Sequence, residues 1–266
     1  MKITFHSIIG PLCLAVILNL FCGLPARSQS HPKIPHVVFL ISDDPINYSA
    51  EITIPAFADS LQKSGLFKTT VLKGHGEHES YGFKGLEVLN KADVLVVFFR
   101  RSALSHRQMD QVKSYIKSGR SVVGIRSADH SFSVRGKPAA AGYEGWWGFV
   151  PDILGHEYKG HDADELGTVI SVNPSSAAHP ILQGISLAKE WKSRGGTYRV
   201  SPLIDPKSVV LLEGSNPNLK EPVAWTRTND YGGKVFYTSL GHPTDFAEQR
   251  FRLLFANALK WAGSKM

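Results

Sequence analysis

Cysteine is almost missing from this chain. Its 266 residues include two, Cys13 and Cys22, and both precede residue 28. From Gln29 onward there is no thiol, which excludes an internal disulfide, a cysteine-bound metal and a thiolate nucleophile. Long apolar runs are missing too, apart from the segment between Ile8 and Phe21. That segment follows a single Lys2 and leads to Gly23, Pro25 and the small residues Ala26 and Ser28. The pattern predicts a secretory signal peptide over residues 1–28, cut after Ser28, and not a membrane span. A lipoprotein cut before Cys22 is disfavoured because Phe21 occupies the place of a small residue. Nor is charge of one sign concentrated. The formal net charge is +7, Lys2 and Arg27 fall in the leader, and no block of like charges occurs. This argues against nucleic acid as a partner and for a small anionic or polyhydroxylated ligand. With no repeat and no low-complexity linker, residues 29–266 are expected to form one domain held by its core.

Three short β-branched runs without alternation, His36 to Ser42, Ala92 to Phe99 and Ser121 to Ile125, read as strands buried on both faces. A further strand is predicted from Phe67 to Leu72. Between them, Thr53 to Ser64 and Ser105 to Ser118 have helical periodicity, with Ser105 as N-cap and Gly119 as the stop. Strands alternating with helices predict an α/β fold with a single doubly wound, mostly parallel sheet and flanking helices. Later strands are expected at Thr168 to Val172, Ser208 to Glu213, Val223 to Arg227 and Lys234 to Thr238. A closing helix is expected from Asp245 to Trp261, capped by Thr244 or Asp245. The glycine- and tryptophan-rich stretch from Gly142 to Gly160 reads as loop and short helix.

Ligands of open α/β sheets bind outside the carboxyl ends of the strands. Here those ends carry Asp43-Asp44-Pro45, Gly74-His75-Gly76-Glu77-His78, Arg100-Arg101, Arg126-Ser127-Ala128-Asp129-His130 and Gly241-His242-Pro243. For any one turn, ordinary loop polarity is a sufficient explanation, but their coincidence at one edge predicts a site.

The turn Gly124-Ile125-Arg126-Ser127-Ala128-Asp129-His130-Ser131-Phe132 resembles the strand-to-helix elbow of the ThuA-like, trehalose-utilisation family. Similar blocks follow in order: Gly145-Trp146-Trp147, Leu154 to His161, His179 to Leu182, Glu221 to Trp225, Gly232 to His242 and Asn257 to Ala262. The resemblance implies a flavodoxin-like or class I glutamine-amidotransferase-like fold and a role in sugar metabolism, with trehalose or a related disaccharide, including its 3-keto form, as substrate; export is the expectation of the leader. Where those amidotransferases place a catalytic cysteine, this chain has Arg126, so thiolate glutaminase chemistry is excluded.

Arg126, with its fixed fork of donors, suits a carboxylate, a phosphate or a developing oxyanion, or else an internal ion pair with Asp129 or Glu144. Asp129, His130, His161 and His242 complete the candidate catalytic set, with one histidine as acid/base. The same three histidines are candidate ligands for a divalent metal. Asp43, His75, Arg100, Arg101, Trp146 and Tyr158 are candidate sugar-binding residues, the aromatics by stacking on a pyranose face. A non-catalytic glycan- or protein-binding module on the same fold is the alternative. Ser127 as a hydrolase nucleophile is disfavoured for lack of a G-x-S-x-G setting. The single-site expectation is that Arg126, Asp129, His130, His161 and His242 converge at the carboxyl edge of the sheet.

Overall fold

A computed structural model describes residue 1, residues 33–186 and residues 188–264. The predicted leader and its cleavage point lie outside the described residues. The chain runs β1 (His36–Ile41), α1 (Ala50–Lys63), β2 (Lys68–Lys73), β3 (Val94–Phe98), β4 (Leu104–Ser105), α2 (His106–Lys117), β5 (Ser121–Ile125) and β6 (Tyr143–Glu144). It continues as β7 (Thr168–Val172), β8 (Trp191–Ser193), β9 (Val209–Asn216), β10 (Leu219–Thr228), β11 (Lys234–Thr238) and α3 (Gln249–Gly263).

Nine strands form one sheet in the order β2-β1-β3-β5-β11-β10-β9-β7-β8, and β4 pairs with β6 apart from it. The strands from β2 to β11 are parallel. From β11 through β8 the pairing is antiparallel, so the predicted α/β sheet with flanking helices is parallel in its first half and mixed as a whole. For β9–β10 and β10–β11 the physical reason is a connection of a few residues, which can join only antiparallel neighbours, whereas parallel neighbours need a crossover. The β10–β11 turn is tied by Asn229 Oδ1, which accepts from the amides of Tyr231 at 3.0 Å and Gly233 at 2.9 Å. Gly232 supplies the left-handed conformation there, at φ +81°.

β1, β3 and β5 are buried at every position, as their unalternating apolar sequence requires. On one face α1 and α3 cover Val37, Phe39, Val96 and Val123. On the other, α2 and the stretch through Phe149 and Leu154 cover Val38, Leu40, Leu95 and Val122. Ser105 caps α2 by accepting from the amide of Gln108 at 3.4 Å, and Gly119 ends it at φ +78°. α3 starts later than expected, and Glu248 caps it through the amide of Arg250 at 3.1 Å. Asp245 instead holds the 3₁₀ turn Pro243–Ala247 that precedes it. Ile34–Met266 form one compact unit. Among the described residues no helix is long and apolar enough to cross a membrane.

This topology positions the site. The chain leaves β1 towards β2 on one side and continues through β3 towards β5 on the other. The direction of winding therefore reverses beside β1, and the residues after β1, β3, β5 and β11 share the carboxyl edge at that reversal.

The α3 face sets the stability of that scaffold. Phe255 is buried and stacks on Phe57 with ring centroids 4.6 Å apart, with Phe39 edge-on at 6.3 Å. Phe255→Ala is expected to lower unfolding stability by about 3–5 kcal/mol in urea denaturation. Ile52→Ala, on the exposed face of α1, is expected to stay within about 0.5 kcal/mol of the parent.

Candidate active site at the carboxyl edge

After Ile125 the chain turns sharply. Arg126 takes a left-handed backbone, φ +39°, and opens the 3₁₀ turn Arg126–His130. A side chain rarely adopts this conformation unless its surroundings fix it, and the surroundings of Arg126 do so. Its Nη1 donates to the carbonyl of Ser239 at 2.8 Å, and its Nη2 to Asp164 Oδ1 at 3.2 Å. Tyr237 Oη donates to the Arg126 carbonyl at 3.1 Å. The guanidinium carbon lies 4.2 Å from the ring centre of Tyr48 and 4.7 Å from that of Tyr198. Gly195 is required beside it, because a Cβ there would stand 2.6 Å from Nη1.

Burial alone would favour losing the proton, but the Tyr198 and Tyr48 rings and Asp164 hold the charge, and the pKa stays above the ordinary arginine value. At 1% exposure Arg126 is enclosed. The guanidinium expected to face an oxyanion lies between the rings of Tyr48 and Tyr198, with its Nη2 on the half-exposed Asp164. Its carboxylate partner is Asp164, not Asp129 or Glu144.

Asp129 is committed elsewhere. Its Oδ1 lies 2.8 Å from His156 Nε2, and both side chains are fully buried. His156 in turn packs against Trp225 and Tyr237, at 4.9 and 4.6 Å between ring centres. Ser127 is also internal. Its hydroxyl donates to Asn47 Oδ1, and Asn47 Nδ2 donates to the Phe98 carbonyl at 2.8 Å, so Ser127 is built as a strut and not as an exposed nucleophile.

The three expected histidines surround a chain of tyrosines. His130 meets Tyr158 edge-on at 4.5 Å. Tyr158 lies 5.1 Å from Tyr198 and 6.4 Å from His161. His161 is 5.7 Å from Tyr198, whose hydroxyl is 3.4 Å from that of Tyr48. Tyr48 lies 6.4 Å from His242. Burial raises the Tyr198 phenol far above its usual range and the Tyr158 phenol to about 12, so both are neutral hydroxyls at physiological pH.

His161 and His242 present the same ring atom, Nε2, in opposite protonation states. His161 Nδ1 lies 2.8 Å from the Asp162 carbonyl. A carbonyl only accepts, so Nδ1 carries the proton and Nε2 presents a lone pair. His242 Nδ1 accepts from the amide of Thr244 at 3.3 Å, which leaves its proton on Nε2. Burial lowers the His242 pKa, with Asp245 opposing. Burial lowers that of His130 to about 4, with Arg101, Arg100 and Arg135 adding to the effect and Asp129 opposing it.

His130, Tyr158 and Trp147 line a cavity of about 320 Å³ together with Arg135 and Glu157. Trp147 is the exposed indole at 63%. Trp146, the expected stacking residue, is packed against Phe132 and Phe149, at 6.2 and 5.5 Å, and has Lys113 over its ring, so it belongs to the core side of this loop. Arg100 Nε lies 3.8 Å from Asp44 Oδ2, and the amide of Arg101 donates to the His130 carbonyl at 2.6 Å. Asp43 is exposed at the same edge, beside Tyr81. His75 pairs with Gly82 and lines a different cavity with Tyr81, Lys84, Gln108 and Tyr143.

Among the described residues no group of three or more His, Asp or Glu side chains is arranged to hold a metal ion. His130, His161 and His242 are separated by the tyrosines and do not form the expected ligand set.

Tyr48, Tyr198 and Asp164 were not candidates from sequence. Either tryptophan of the pair Trp146–Trp147 could stack on a sugar by sequence, and Trp147 is the exposed one; His156, which the sequence offered beside His161 only as a loop metal ligand, is buried against Asp129. Tyr48 and Tyr198 carry no motif, and only the folded chain brings them onto Arg126.

The sequence pattern of the family described as ThuA, trehalose utilisation, matches residues 38–262. No curated protein matches the chain. In fold it is similar to a ThuA-like protein from Bacteroides uniformis ATCC 8492, with 16% identity, a TM-score of 0.62 and coverage of 90% of this chain and 95% of that one. It is likewise similar to a ThuA-like protein from Parabacteroides merdae ATCC 43184, with 14% identity, a TM-score of 0.58 and coverage of 87% and 91%. A pattern that spans nearly all of the described fold, from β1 to α3, shows that this chain belongs to the ThuA, trehalose-utilisation, family.

Proposed function

We propose that this protein is an exported carbohydrate-processing enzyme acting on trehalose or a related disaccharide, its 3-keto form included, at the carboxyl edge of the sheet. The observation that carries the reading is the opposite tautomers of two imidazoles set about the Tyr198–Tyr48 pair: His161 offers a lone pair on Nε2, and His242 an N–H on Nε2. A carbonyl in a keto-sugar acidifies the C–H bonds beside it. His161 takes that proton, and the electron pair moves onto the carbonyl oxygen as an enediolate, which His242 meets with its N–H. The protonated His161 then returns the proton to a neighbouring carbon or to a departing oxygen.

Tyr158 and Trp147 offer faces for the sugar ring, and the neutral phenols offer hydroxyls. Arg126 acts as a positioning residue that holds Tyr48 and Tyr198 in register. Export is supported by the leader pattern, and a mature chain without cysteine needs no oxidative folding.

One outcome checks this proposal, and a second checks the buried state of His130 beside it. His161→Gln is expected to lower kcat on a 3-keto-disaccharide by about 10²–10⁴-fold with little change in KM, the range for loss of a positioned base. A variant as active as the parent would remove His161 from the role, and sugar binding without turnover in the parent would favour a glycan-binding module.

The second outcome concerns pH. The folded pKa of His130, about 4, lies below its ordinary 6.5, so between these values the unfolded chain binds a proton that the folded chain does not. Stability from this group is complete above pH 6.5 and falls towards pH 4. His242 and His179 shift in the same direction. Urea midpoints are expected to drop between pH 7 and 4.5, and to drop less in His130→Gln. An equal fall in that variant contradicts the assignment.

A further inference from the structure

We infer that the Tyr48 hydroxyl is the acid of the proposed reaction, giving its proton to the carbonyl oxygen of the keto-sugar while His161 removes the one on carbon. The inference rests on the keto-sugar reading above and adds to it a residue that the sequence did not offer. Backbone strain marks the place. Among the described residues, the non-glycine positions with a left-handed backbone are Tyr48, Ser49, Arg101 and Arg126, and all of them follow a parallel strand at the carboxyl edge. Such conformations persist only where the surroundings hold them, and they gather at functional sites. Tyr48 and Ser49 adopt it in succession, at φ +52° and +49°, and Ser49 precedes α1 without giving the helix a side-chain cap. Their neighbour Asn47 fixes the turn: it is fully buried, donates to the Phe98 carbonyl at 2.8 Å and accepts from the Ser127 hydroxyl. What the turn achieves is the placement of the Tyr48 ring, 4.2 Å from the guanidinium carbon of Arg126.

The hydroxyl pair assigns the protons. Tyr198 is 2% exposed, and its hydroxyl lies 3.4 Å from that of Tyr48. A buried hydroxyl donates within the protein, and the acceptor it meets is the Tyr48 oxygen, so the proton of the half-buried Tyr48 is left for a ligand. The contact is long, as catalytic hydrogen bonds commonly are before charge develops. His242, 6.4 Å from Tyr48 between ring centres, binds the same sugar oxygen without protonating it: burial keeps this imidazole neutral, and a neutral imidazole N–H is a weaker acid than a phenol. His161 takes the proton from the carbon beside the carbonyl, and the C–H electron pair becomes a carbon–carbon double bond. The carbonyl π pair moves to oxygen, which takes the Tyr48 proton to give a neutral enediol. The phenolate left behind lies against the Arg126 cation and the Tyr198 hydroxyl, and both stabilise its charge. It recovers a proton from either hydroxyl of the enediol as His161 returns its own to carbon. A ring that only covered the cation would need no hydroxyl.

Tyr48→Phe keeps the ring over Arg126 and removes the proton. It is expected to lower kcat on a 3-keto-disaccharide by about 10²–10⁴-fold, with KM within about twofold and the urea midpoint unchanged. Tyr198→Phe, which removes only the donor to Tyr48, is expected to lose about tenfold. A further variant carries 3,5-difluorotyrosine at position 48, which keeps ring and hydroxyl and makes the phenol more acidic; it decides the question alone if Tyr48→Phe loses its fold. The alkaline limb of its kcat–pH profile is expected to move down by at least about one pH unit, a shift that a packing role does not produce. Tyr48→Phe as active as the parent, or an alkaline limb that stays in place, overturns the Tyr48 assignment while the carbohydrate reading stands. A parent that turns over no keto-disaccharide removes that reading and the assignment with it.

Discussion

One buried cation organises the carboxyl edge. The guanidinium of Arg126 is held between the rings of Tyr48 and Tyr198, and it bonds the Ser239 carbonyl and Asp164. These four partners come from the loop after β1, the strand end of β11 and two excursions between β6 and β9. A charge taken out of water this completely is tolerated only when it is paired and hydrogen-bonded; here Nη1 and Nη2 are bonded and both faces are covered, while Nε has no acceptor. The requirement therefore fixes the geometry of everything around it. Gly195 is glycine because a side chain would collide with Nη1. The next residue, Gly196, donates its amide to the same Asp164 oxygen at 2.6 Å, which closes the loop over the cation.

From that constraint the chemistry of the edge follows. The tyrosines packed on the cation reach outward to His242, His161 and Tyr158, and Tyr158 in turn meets His130, so the imidazoles are spaced by rings. Two of the histidines are then tuned by what holds Nδ1: a carbonyl for His161, an amide for His242. The buried Asp129–His156 pair supports the elbow from below, with Trp225 and Tyr237 against the imidazole.

Much of this was legible before folding. β5, β7 and β11 lie at their predicted residues, because unbroken β-branched runs between turn signals have few other uses. The helix capped by Ser105 was readable from one side chain and one glycine. The antiparallel second half was less legible, since it depends on which short turns close hairpins. β8 is three residues long and carries too little pattern to be seen.

At the site, the polar turns after β1, β3, β5 and β11 identified the edge, but not how each residue serves it. Arg126 looked like a ligand-facing cation because nothing local in its sequence reveals that Tyr48 and Tyr198, distant along the chain, enclose it. The choice between Trp146 and Trp147 turned on one step of a loop, which periodicity cannot resolve.

Solvent deuterium incorporation into a 3-keto-disaccharide, followed by proton NMR in D2O with the mature protein, addresses the central claim most directly. The account predicts protein-dependent exchange at the carbon beside the carbonyl, because a lone-pair imidazole held at the edge by the Arg126 cluster removes that proton. Exchange no faster than in buffer, with the sugar demonstrably bound, would contradict it.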